Sequence, residues 1–332
     1  MSSAHPSWSA ATKAHTHALP LRVGTRPSPL ALWQTRDFLQ RLRGFCPVLQ
    51  SLDVFEEHAI RTTGDATQAA GTRLADIGGK GLFAKEIHEA LADRRIDFAV
   101  HSLKDLETEL PNGIVLACTL KREDARDALI VAQHLTADPQ NPYGALPLGA
   151  LVGTSSVRRQ AQMLHFRPDL RITTMRGNVQ TRLDKLLRGD CEASLLALAG
   201  MNRLGLGDKA SVVLEPDVML PAACQGIVGI TVRAGDRELL ELLSGIEDPQ
   251  AKAASTAERA LLAELDGSCR TPIGGHAEWR ADGALRLSGL VARPDGSFLL
   301  RRDIVGHPGD AARLGAELGA SLRADSPRDL FA

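Results

Sequence analysis

Residues 151–198 read LVGTSSVRRQAQMLHFRPDLRITTMRGNVQTRLDKLLRGDCEASLLAL, and this stretch decides the fold. Short apolar runs alternate in it with segments whose apolar residues recur at helical spacing. The pattern predicts strands over 151–152, 171–175 and 193–198, with helices over 156–166 and 178–188 between them. Such alternation is typical of a mostly parallel sheet with helices on its faces. Ligands of these sheets bind beyond the carboxyl ends of the strands.

Arginines occupy the chain just beyond two of these predicted strands. Arg158, Arg159, Arg176 and Arg182 lie near the starts of the two predicted helices. An arginine there opposes the helix dipole, so a purely structural helix would favour an acid. Guanidinium groups and free backbone N–H groups together bind carboxylates or phosphates. We interpret the two segments as one site for a ligand with several anionic groups; solvated helix faces are the alternative.

The N-terminal part of the chain predicts similar elements. A strand over 21–24 is followed by Ser28-Pro29, a favoured cap and first residue of a helix. Residues 82–95 have helical periodicity, and a buried strand over 96–100 runs into Lys104-Asp105. Asp105 either caps a helix or is a catalytic carboxylate among cations.

A glycine- and alanine-rich stretch separates these elements. Residues 64–81 have little apolar periodicity, which predicts a mobile loop. This composition, without apolar periodicity, favours the interpretation of residues 64–79 as a lid over the cleft.

The pattern of the chain changes near residue 248. A helix over 250–265 precedes a loop with Cys269, and strands over 273–279, 285–292 and 297–304 precede a last helix over 309–323. This region predicts a small α+β domain. Cys269 is either a small buried apolar residue or, beside Arg270 in a polar loop, a reactive thiol. A protease-like pair with His276 lacks an orienting partner.

Composition argues against several classes of function. The 332-residue chain has 39 Lys plus Arg against 40 Asp plus Glu, a net charge of −1, and 4% aromatic residues. It therefore has no overall field for nucleic acid, and it has no run of about 20 apolar residues for a membrane span. Its five cysteines are odd in number and include no C-x-x-C pair, so we expect no metal site and a reducing, cytoplasmic location.

Seven short segments together resemble the porphobilinogen deaminase family, also called the hydroxymethylbilane synthases. They stand in the family's order over about residues 21–325, and the ordered set is highly specific although each segment alone is weak. The segments are 23–32 (VGTRPSPLAL), 78–83 (GGKGLF), 100–105 (VHSLKD), 153–159 (GTSSVRR), 176–182 (RGNVQTR), 198–203 (LAGMNR) and 267–275 (GSCRTPIGG).

The resemblance implies an α/β fold with two doubly wound domains, similar to the lobes of periplasmic binding proteins, and a small α+β C-terminal domain. Domain 1 would cover 21–122 and 225–244, domain 2 would cover 123–224, and domain 3 would cover 245–332. Residues 1–20 would form a disordered extension. The implied enzyme is a monomer that joins four porphobilinogen molecules head to tail, with release of ammonia, into hydroxymethylbilane.

The resemblance also implies a dipyrromethane cofactor, thioether-linked to Cys269, and Asp105 as the catalytic group. The implied cofactor-binding residues are Lys104, Ser156, Arg158, Arg159, Asn178 and Arg182; the implied substrate-binding residues are Arg26, Ser28, Arg176 and Arg203; the lid would carry Asp65 and Lys80. The chemistry agrees, because porphobilinogen carries an acetate and a propionate that arginines bind. Loss of ammonia leaves a cationic azafulvene, which needs one carboxylate.

Three positions depart from the family pattern. Glu107 stands where proline is expected, Cys224 stands where glycine is usual, and Arg270-Thr271 alter the residues after the attachment cysteine. None of these changes removes a candidate catalytic group.

A two-lobed solute-binding protein is the rival interpretation, since it would share the fold and bind anions without chemistry. Such a protein would have an export signal and no need of the domain that carries Cys269. Neither expectation fits this sequence.

Overall fold

The computed structural model describes residues 17–50, 54–69, 81–265 and 271–331. Its strands are β1 (Leu21–Thr25), β2 (Phe55–Ala59), β3 (Phe98–Ser102), β4 (Ile114–Thr119), β5 (Asp127–Val131), β6 (Leu151–Gly153), β7 (Arg171–Thr173), β8 (Ala193–Ala197), β9 (Val212–Leu214), β10 (Val228–Arg233), β11 (Ile273–Trp279), β12 (Leu285–Ala292) and β13 (Leu299–Gly306). Its helices are α1 (Pro29–Phe45), α2 (Thr63–Ala69), α3 (Lys85–Ala92), α4 (Val157–Phe166), α5 (Val179–Leu187), α6 (Leu198–Arg203), α7 (Arg237–Ser244), α8 (Pro249–Glu264) and α9 (Ala311–Ala324).

The first sheet has the strand order β2-β1-β3-β10-β4. Strand β1 is parallel to β2 and β3, whereas β10 is antiparallel to both of its neighbours, β3 and β4. The chain therefore leaves this sheet after β4 and returns to it with β10.

The second sheet repeats this plan with the order β7-β6-β8-β5-β9. Strand β6 is parallel to β7 and β8, and β5 is antiparallel to β8 and β9. Strand β5 is the first after the chain leaves the first sheet, and β10 is the first after it returns. Each crossing thus supplies the antiparallel strand of the sheet that it enters. The prediction of two doubly wound, mostly parallel sheets is confirmed.

Large apolar side chains hold the helices on these sheets. Phe38 of α1 meets Phe98 of β3 edge to face, with ring centroids 5.4 Å apart, and both rings are fully buried. In the second unit Met163 of α4 belongs to one buried cluster with Leu129 and Leu195 of the sheet. Burial of each such side chain contributes roughly 1.5–3 kcal/mol to folding, so these contacts fix where the helices begin relative to the strand ends.

The third unit is the predicted α+β domain. Strands β11, β12 and β13 form an antiparallel sheet, and α8 and α9 pack against each other and on it. A Cβ at Gly315 of α9 would lie 2.2 Å from the Ala257 carbonyl oxygen of α8. Glycine therefore permits a close approach of the two helices that any side chain would prevent.

Residues 63–69 form helix α2, so the prediction of a loop over 64–81 is wrong for its first part. The Asp65 N–H donates to Thr62 Oγ1, and the Thr62 N–H donates to Asp65 Oδ2. This reciprocal pattern is a capping box, which begins a helix despite Gly64. The sequence signal was Thr-x-x-Asp at 62–65. Residues 70–80 lie outside the described residues, so the lid stays a prediction there.

The predicted disordered extension and domain boundaries are only partly covered. Residues 1–16 lie outside the described residues, while His17 Nε2 lies 2.8 Å from Asp236 Oδ1. Strand β10 of the predicted return segment lies in the first sheet, but the boundaries themselves stay predictions. Across the described ranges, no helix has the length and apolar character to cross a membrane.

Glu258 of α8 joins the third unit to both crossing segments. Its buried carboxylate accepts from Arg122 Nη1 at 2.6 Å, from the Cys224 N–H at 2.5 Å and from the Ala277 N–H at 2.6 Å. Arg122 belongs to the crossing that leaves the first sheet, and Cys224 belongs to the return. Cys224 has φ of 62°, a left-handed conformation that favours glycine, which explains why glycine is usual at this position.

Replacement of Glu258 by Gln should lower the free energy of unfolding by roughly 3 kcal/mol, because it leaves the Arg122 guanidinium without its charge partner. Urea unfolding measures the change. The matched control is Glu264→Gln, an exposed position on the same helix, which should stay within about 0.5 kcal/mol of wild type. Equal stabilities of the two variants would contradict the role assigned to Glu258.

Candidate active site

A cleft of about 270 Å³ lies between the first and second sheets. Its walls are built from the chain just past the carboxyl ends of strands in both sheets. Arg26 follows β1, Asp105 follows β3, Ser155 follows β6 and Arg176 follows β7. The strand–helix pattern predicts a ligand at this place.

Most of the predicted site residues meet in this cleft. Those on its wall are Arg26, Ser28, Lys104, Asp105, Arg159, Arg176, Asn178 and Arg182. Ser156, Arg158, Arg203 and Asp65 are described but are not part of the wall, whereas Lys80 and Cys269 lie outside the described residues. Wall residues that the sequence reasoning missed include Gln34, Phe83, His101 and Ser155.

Arg26 is held in place by Asp65 and Phe83. Its Nε donates to Asp65 Oδ1 at 3.1 Å, and its guanidinium lies 4.2 Å from the centroid of the Phe83 ring. Burial alone would raise the pKa of Asp65, but hydrogen bonds and charge from Arg26 hold it below its usual value. Asp65, which the sequence predicts as a lid residue, lies in α2 and is the counter-ion of Arg26. The remaining nitrogen of the fork, Nη1, lies 3.9 Å from Asp105 Oδ2.

Asp105 is the last residue of a short 3₁₀ helix, Leu103–Asp105, that continues β3. About a third of its side chain, 34%, is exposed to the cleft. Among the described residues it accepts no hydrogen bond and caps no helix, so the capping interpretation has no support in this geometry. Its carboxylate is available to a ligand.

Lys104 is tied to the second sheet through Gln225. The Lys104 ammonium donates to Gln225 Oε1 at 3.2 Å, and Gln225 Nε2 donates to Asp127 Oδ1 at 2.8 Å. Lys104 is an exposed residue on the wall of the cleft, yet the protein packed near its ammonium removes part of its water. This partial loss of water, opposed by Asp105 and aided by Arg159, lowers the Lys104 pKa.

Arg158 and Arg159 share one buried counter-ion, Asp127. Arg158 Nη1 lies 2.8 Å from Asp127 Oδ2, and Arg159 Nη2 donates to Asp127 Oδ1 at 2.6 Å. Each arginine also donates to a carbonyl, Arg158 to Leu220 and Arg159 to Leu195. Burial would raise the pKa of Asp127, but the two guanidinium charges outweigh it and hold that pKa well below the usual value. The sequence reasoning missed Asp127 and Gln225, because neither stands in an arginine segment.

The second arginine segment makes local hydrogen bonds at the start of α5. Asn178 caps α5 by accepting from the Thr181 N–H at 2.8 Å, and Arg182 Nε donates to the Gly177 carbonyl at 3.0 Å. Burial lowers the pKa of Arg182 to about 10, and the charges of Arg159 and Arg176 add to the effect. Like charges held together in this way favour an anion between them.

Two other predicted site residues make hydrogen bonds to the backbone. Ser156 caps α4 by accepting from the Arg159 N–H at 3.4 Å. Arg203 Nη2 donates to the Gly226 carbonyl at 2.7 Å, on the segment that returns to the first sheet. Both lie close to the cleft without forming part of its described wall.

The described wall of the cleft carries five cationic side chains and one carboxylate. The cations are Arg26, Lys104, Arg159, Arg176 and Arg182, and the carboxylate is Asp105. In addition, the Nε atoms of Arg158 and Arg159 are buried and donate to no acceptor among the described residues. This set of donors fits a ligand or cofactor with several carboxylates.

Two family models match the chain. The model described as "Porphobilinogen deaminase, dipyromethane cofactor binding domain" matches residues 21–241, and "Porphobilinogen deaminase, C-terminal domain" matches residues 252–324. The porphobilinogen deaminase of Paracoccus denitrificans (strain Pd 1222) is 47% identical over 315 residues, which cover 94% of this chain and 96% of the relative. The chloroplastic porphobilinogen deaminase of Oryza sativa subsp. japonica is 44% identical over 314 residues, 94% of this chain and 85% of the relative.

The chain also aligns with solved structures of other proteins at low identity. An ancestral cationic amino acid solute-binding protein aligns with a TM-score of 0.41 and 15% identity, over 72% of this chain and 93% of its own. The periplasmic VFT2 domain of Bordetella pertussis BvgS aligns with a TM-score of 0.38 and 16% identity, over 68% of this chain and 86% of its own.

Replacement of Asp127 by Asn should lower the free energy of unfolding at pH 7 by about 3–5 kcal/mol, because two buried guanidinium groups lose their counter-ion. The folded-state pKa of Asp127 is lowered, so its contribution is complete above the ordinary value of about 3.9 and is lost as pH falls through the folded value. The difference between wild type and variant should therefore shrink below about pH 4. Urea unfolding across this range measures it, with the exposed Asp190→Asn variant as control. A difference that does not change with pH would contradict the assignment.

Proposed function

Because the chain belongs to the porphobilinogen deaminase family, we propose that it joins four porphobilinogen molecules head to tail, with release of ammonia, into hydroxymethylbilane for tetrapyrrole biosynthesis. The observation that carries this proposal is a cleft whose described wall has five cations around one carboxylate, Asp105. Each porphobilinogen adds an acetate and a propionate, so the growing chain gains two negative charges at every step. A site for it needs many cations, and one acid where positive charge develops.

The family's dipyrromethane cofactor, when bound through Cys269, supplies the pyrrole end to which the first substrate is joined. Lys104, Arg159 and Arg182 would hold its carboxylates, with Asn178 at the start of α5 beside them. Ser156 and Arg158 would support the same group from just behind the wall, since Ser156 caps the helix that carries both arginines. These side chains are placed by the protein's own hydrogen bonds before any ligand binds, which reduces the cost of ordering them.

The incoming substrate would be bound by the other arginines. Arg26 and Arg176 line the cleft, Ser28 lies beside Arg26, and Arg203 stands close by at the Gly226 carbonyl. The Asp65 carboxylate and the Phe83 ring restrict Arg26 to one orientation. A restricted guanidinium binds a carboxylate in a defined geometry, which fixes the position of the pyrrole ring to which the carboxylate is attached.

Asp105 would carry out the chemistry on the substrate. As ammonia leaves porphobilinogen, positive charge develops on the substrate ring, and a nearby carboxylate stabilises it. The same carboxylate can accept the proton lost by the ring that attacks. Its position at the end of β3, open to the cleft and surrounded by cations, suits both tasks.

The proposal places the enzyme in the cytoplasm, in line with an odd number of cysteines and no C-x-x-C pair. It also keeps the prediction of a monomer and retains a lid that carries Lys80.

Asp105→Asn should lower the rate of hydroxymethylbilane formation by at least about 10²-fold, because the charge is lost while shape and hydrogen bonding are kept. Asp105→Glu keeps the charge at a shifted position and should retain measurable activity. Both variants are assayed with cofactor loading checked by intact mass. A fully loaded and fully active Asn variant would show that Asp105 is not the catalytic group.

Intact-mass measurement of the purified wild type should reveal an adduct equal to two deaminated porphobilinogen units. Cys269→Ser should lack the adduct and the activity, whereas Cys224→Ser should keep both. Burial raises the pKa of the Cys224 thiol, so it is a poor nucleophile. An adduct that peptide mapping locates at Cys224 would overturn the attachment at Cys269.

A further inference from the structure

Residues 103–106, which include Asp105, are called the catalytic segment here. A buried pair of polar side chains lies next to this segment, outside the described wall of the cleft. His88 of α3 is 3% exposed, and the Glu107 side chain, two residues past Asp105, is 10% exposed. His88 Nδ1 lies 3.9 Å from Glu107 Oε2. Among the described residues, neither ring nitrogen of His88 nor Glu107 Oε2 has a hydrogen-bond partner.

Buried polar atoms without partners are rare in folded proteins. Such an atom has lost its hydrogen bonds to water without gaining others, which costs free energy. Here the unpartnered atoms of two side chains face each other. They are roughly 1 Å too far apart for a hydrogen bond. Hydrogen bonds of active sites are often long in a free enzyme and shorten when the ligand is bound.

Glu107 contacts three elements that surround the catalytic segment. A Cβ at Gly81 would lie 1.8 Å from Glu107 Oε1, so the carboxyl packs directly on the glycine that precedes α3. Arg259 of α8 donates to the Glu107 and Thr108 carbonyls at 2.8 and 2.7 Å. The backbone of this short segment is thereby fixed to the third unit, and its side chain is turned toward α3.

His88 connects the His88–Glu107 pair to the cleft through His101. Its ring centroid lies 5.5 Å from that of His101, whose Nε2 is 3.0 Å from Thr231 Oγ1. His101 itself lines the cleft. Burial lowers the pKa of His88 to about 4 and that of His101 to about 3, with His88 and Arg26 adding to the second shift. Burial also raises the pKa of Glu107, against the opposing charge of Arg259.

We propose that Glu107 and His88 are positioning residues for Asp105, and that a hydrogen bond between Glu107 Oε2 and His88 Nδ1 forms when the cleft is filled. The proposal rests on the proposed function, because it assigns Asp105 the catalytic role. Leu103 and Leu106, on either side of Lys104-Asp105, are buried in one apolar cluster with Ala84 beside α3. A bond from Glu107 to α3 completes this attachment and restricts the rotation of the segment, and hence the position of the Asp105 carboxylate.

The test is a double-mutant cycle on the cofactor-loaded enzyme. Glu107→Leu and His88→Leu each leave the opposite side chain buried without a partner, so each should lower kcat about tenfold with KM changed less than about twofold. The double variant replaces both partners by apolar groups, so its loss should be well below the product of the two single losses. Glu107→Gln, whose amide can still pair with His88, should keep most of the activity.

The control is Glu109→Leu, which removes an exposed carboxylate from the same segment and should leave kcat and KM unchanged. Wild-type kcat in Glu107→Leu, or a double-variant loss equal to the product of the single losses, would overturn the proposal. If the wild-type protein makes no hydroxymethylbilane, the proposed function itself is wrong. Failure of the positioning role and failure of the proposed function are therefore distinguishable.

A second measurement applies if Glu107→Leu fails to fold. With ¹⁵N-labelled histidine, the His88 resonances, assigned through His88→Leu, should shift when porphobilinogen is added to the wild type and should shift differently in Glu107→Gln. Identical His88 spectra with and without substrate would mean that no bond forms, and would also overturn the proposal.

Discussion

Asp127, a carboxylate with no exposed surface, allows two adjacent arginines to stay charged inside the protein. A guanidinium taken out of water without a counter-ion is strongly destabilising, and two side by side repel each other as well. Asp127 accepts a hydrogen bond from Arg159 and forms an ion pair with Arg158. It also accepts from Gln225, which in turn accepts from Lys104 in the other sheet. One negative charge thus organises cations on both walls of the cleft. The positive field that remains faces the cleft, where an anionic ligand can complete it.

The topology explains why this charge lies where it does. Asp127 is the first residue of β5, and it pairs in register with Ala197 and Leu214 of the neighbouring strands. Gln225 belongs to the segment by which the chain returns to the first sheet. The buried network of Asp127 and Gln225 therefore lies where the two crossing segments pass from one sheet to the other. Glu258 bonds the same two crossings from the third unit, so all three units also meet there.

Much of this arrangement could be predicted from the sequence because it depends on local patterns. Apolar periodicity identified β1, β3, β6, β7 and β8 and the helices α1, α3, α4 and α5, but not β2, β4, β5 or β9. Ser28, Ser156 and Asn178 cap helices where the capping rules place them. Helix α2 was not predicted because Gly64 favours a loop, although Thr62 and Asp65 on either side of it form a capping box. The partners of the arginines could not be predicted, since Asp127 and Gln225 meet them through tertiary contacts. The same holds for Glu107, whose importance lies in its contact with His88 on another element.

The interleaved strand order has a consequence for biosynthesis. Strands β5 to β9 are consecutive in the chain, so the second sheet can be completed as soon as residue 214 has emerged from the ribosome. The first sheet cannot, because β10, at Val228–Arg233, lies between β3 and β4. Until then, β3 and β4 have unpaired edges, which are prone to pair with other chains. The N-terminal unit is thus synthesised first but completed after the second unit, contrary to the usual order in which domains finish folding from the N-terminus.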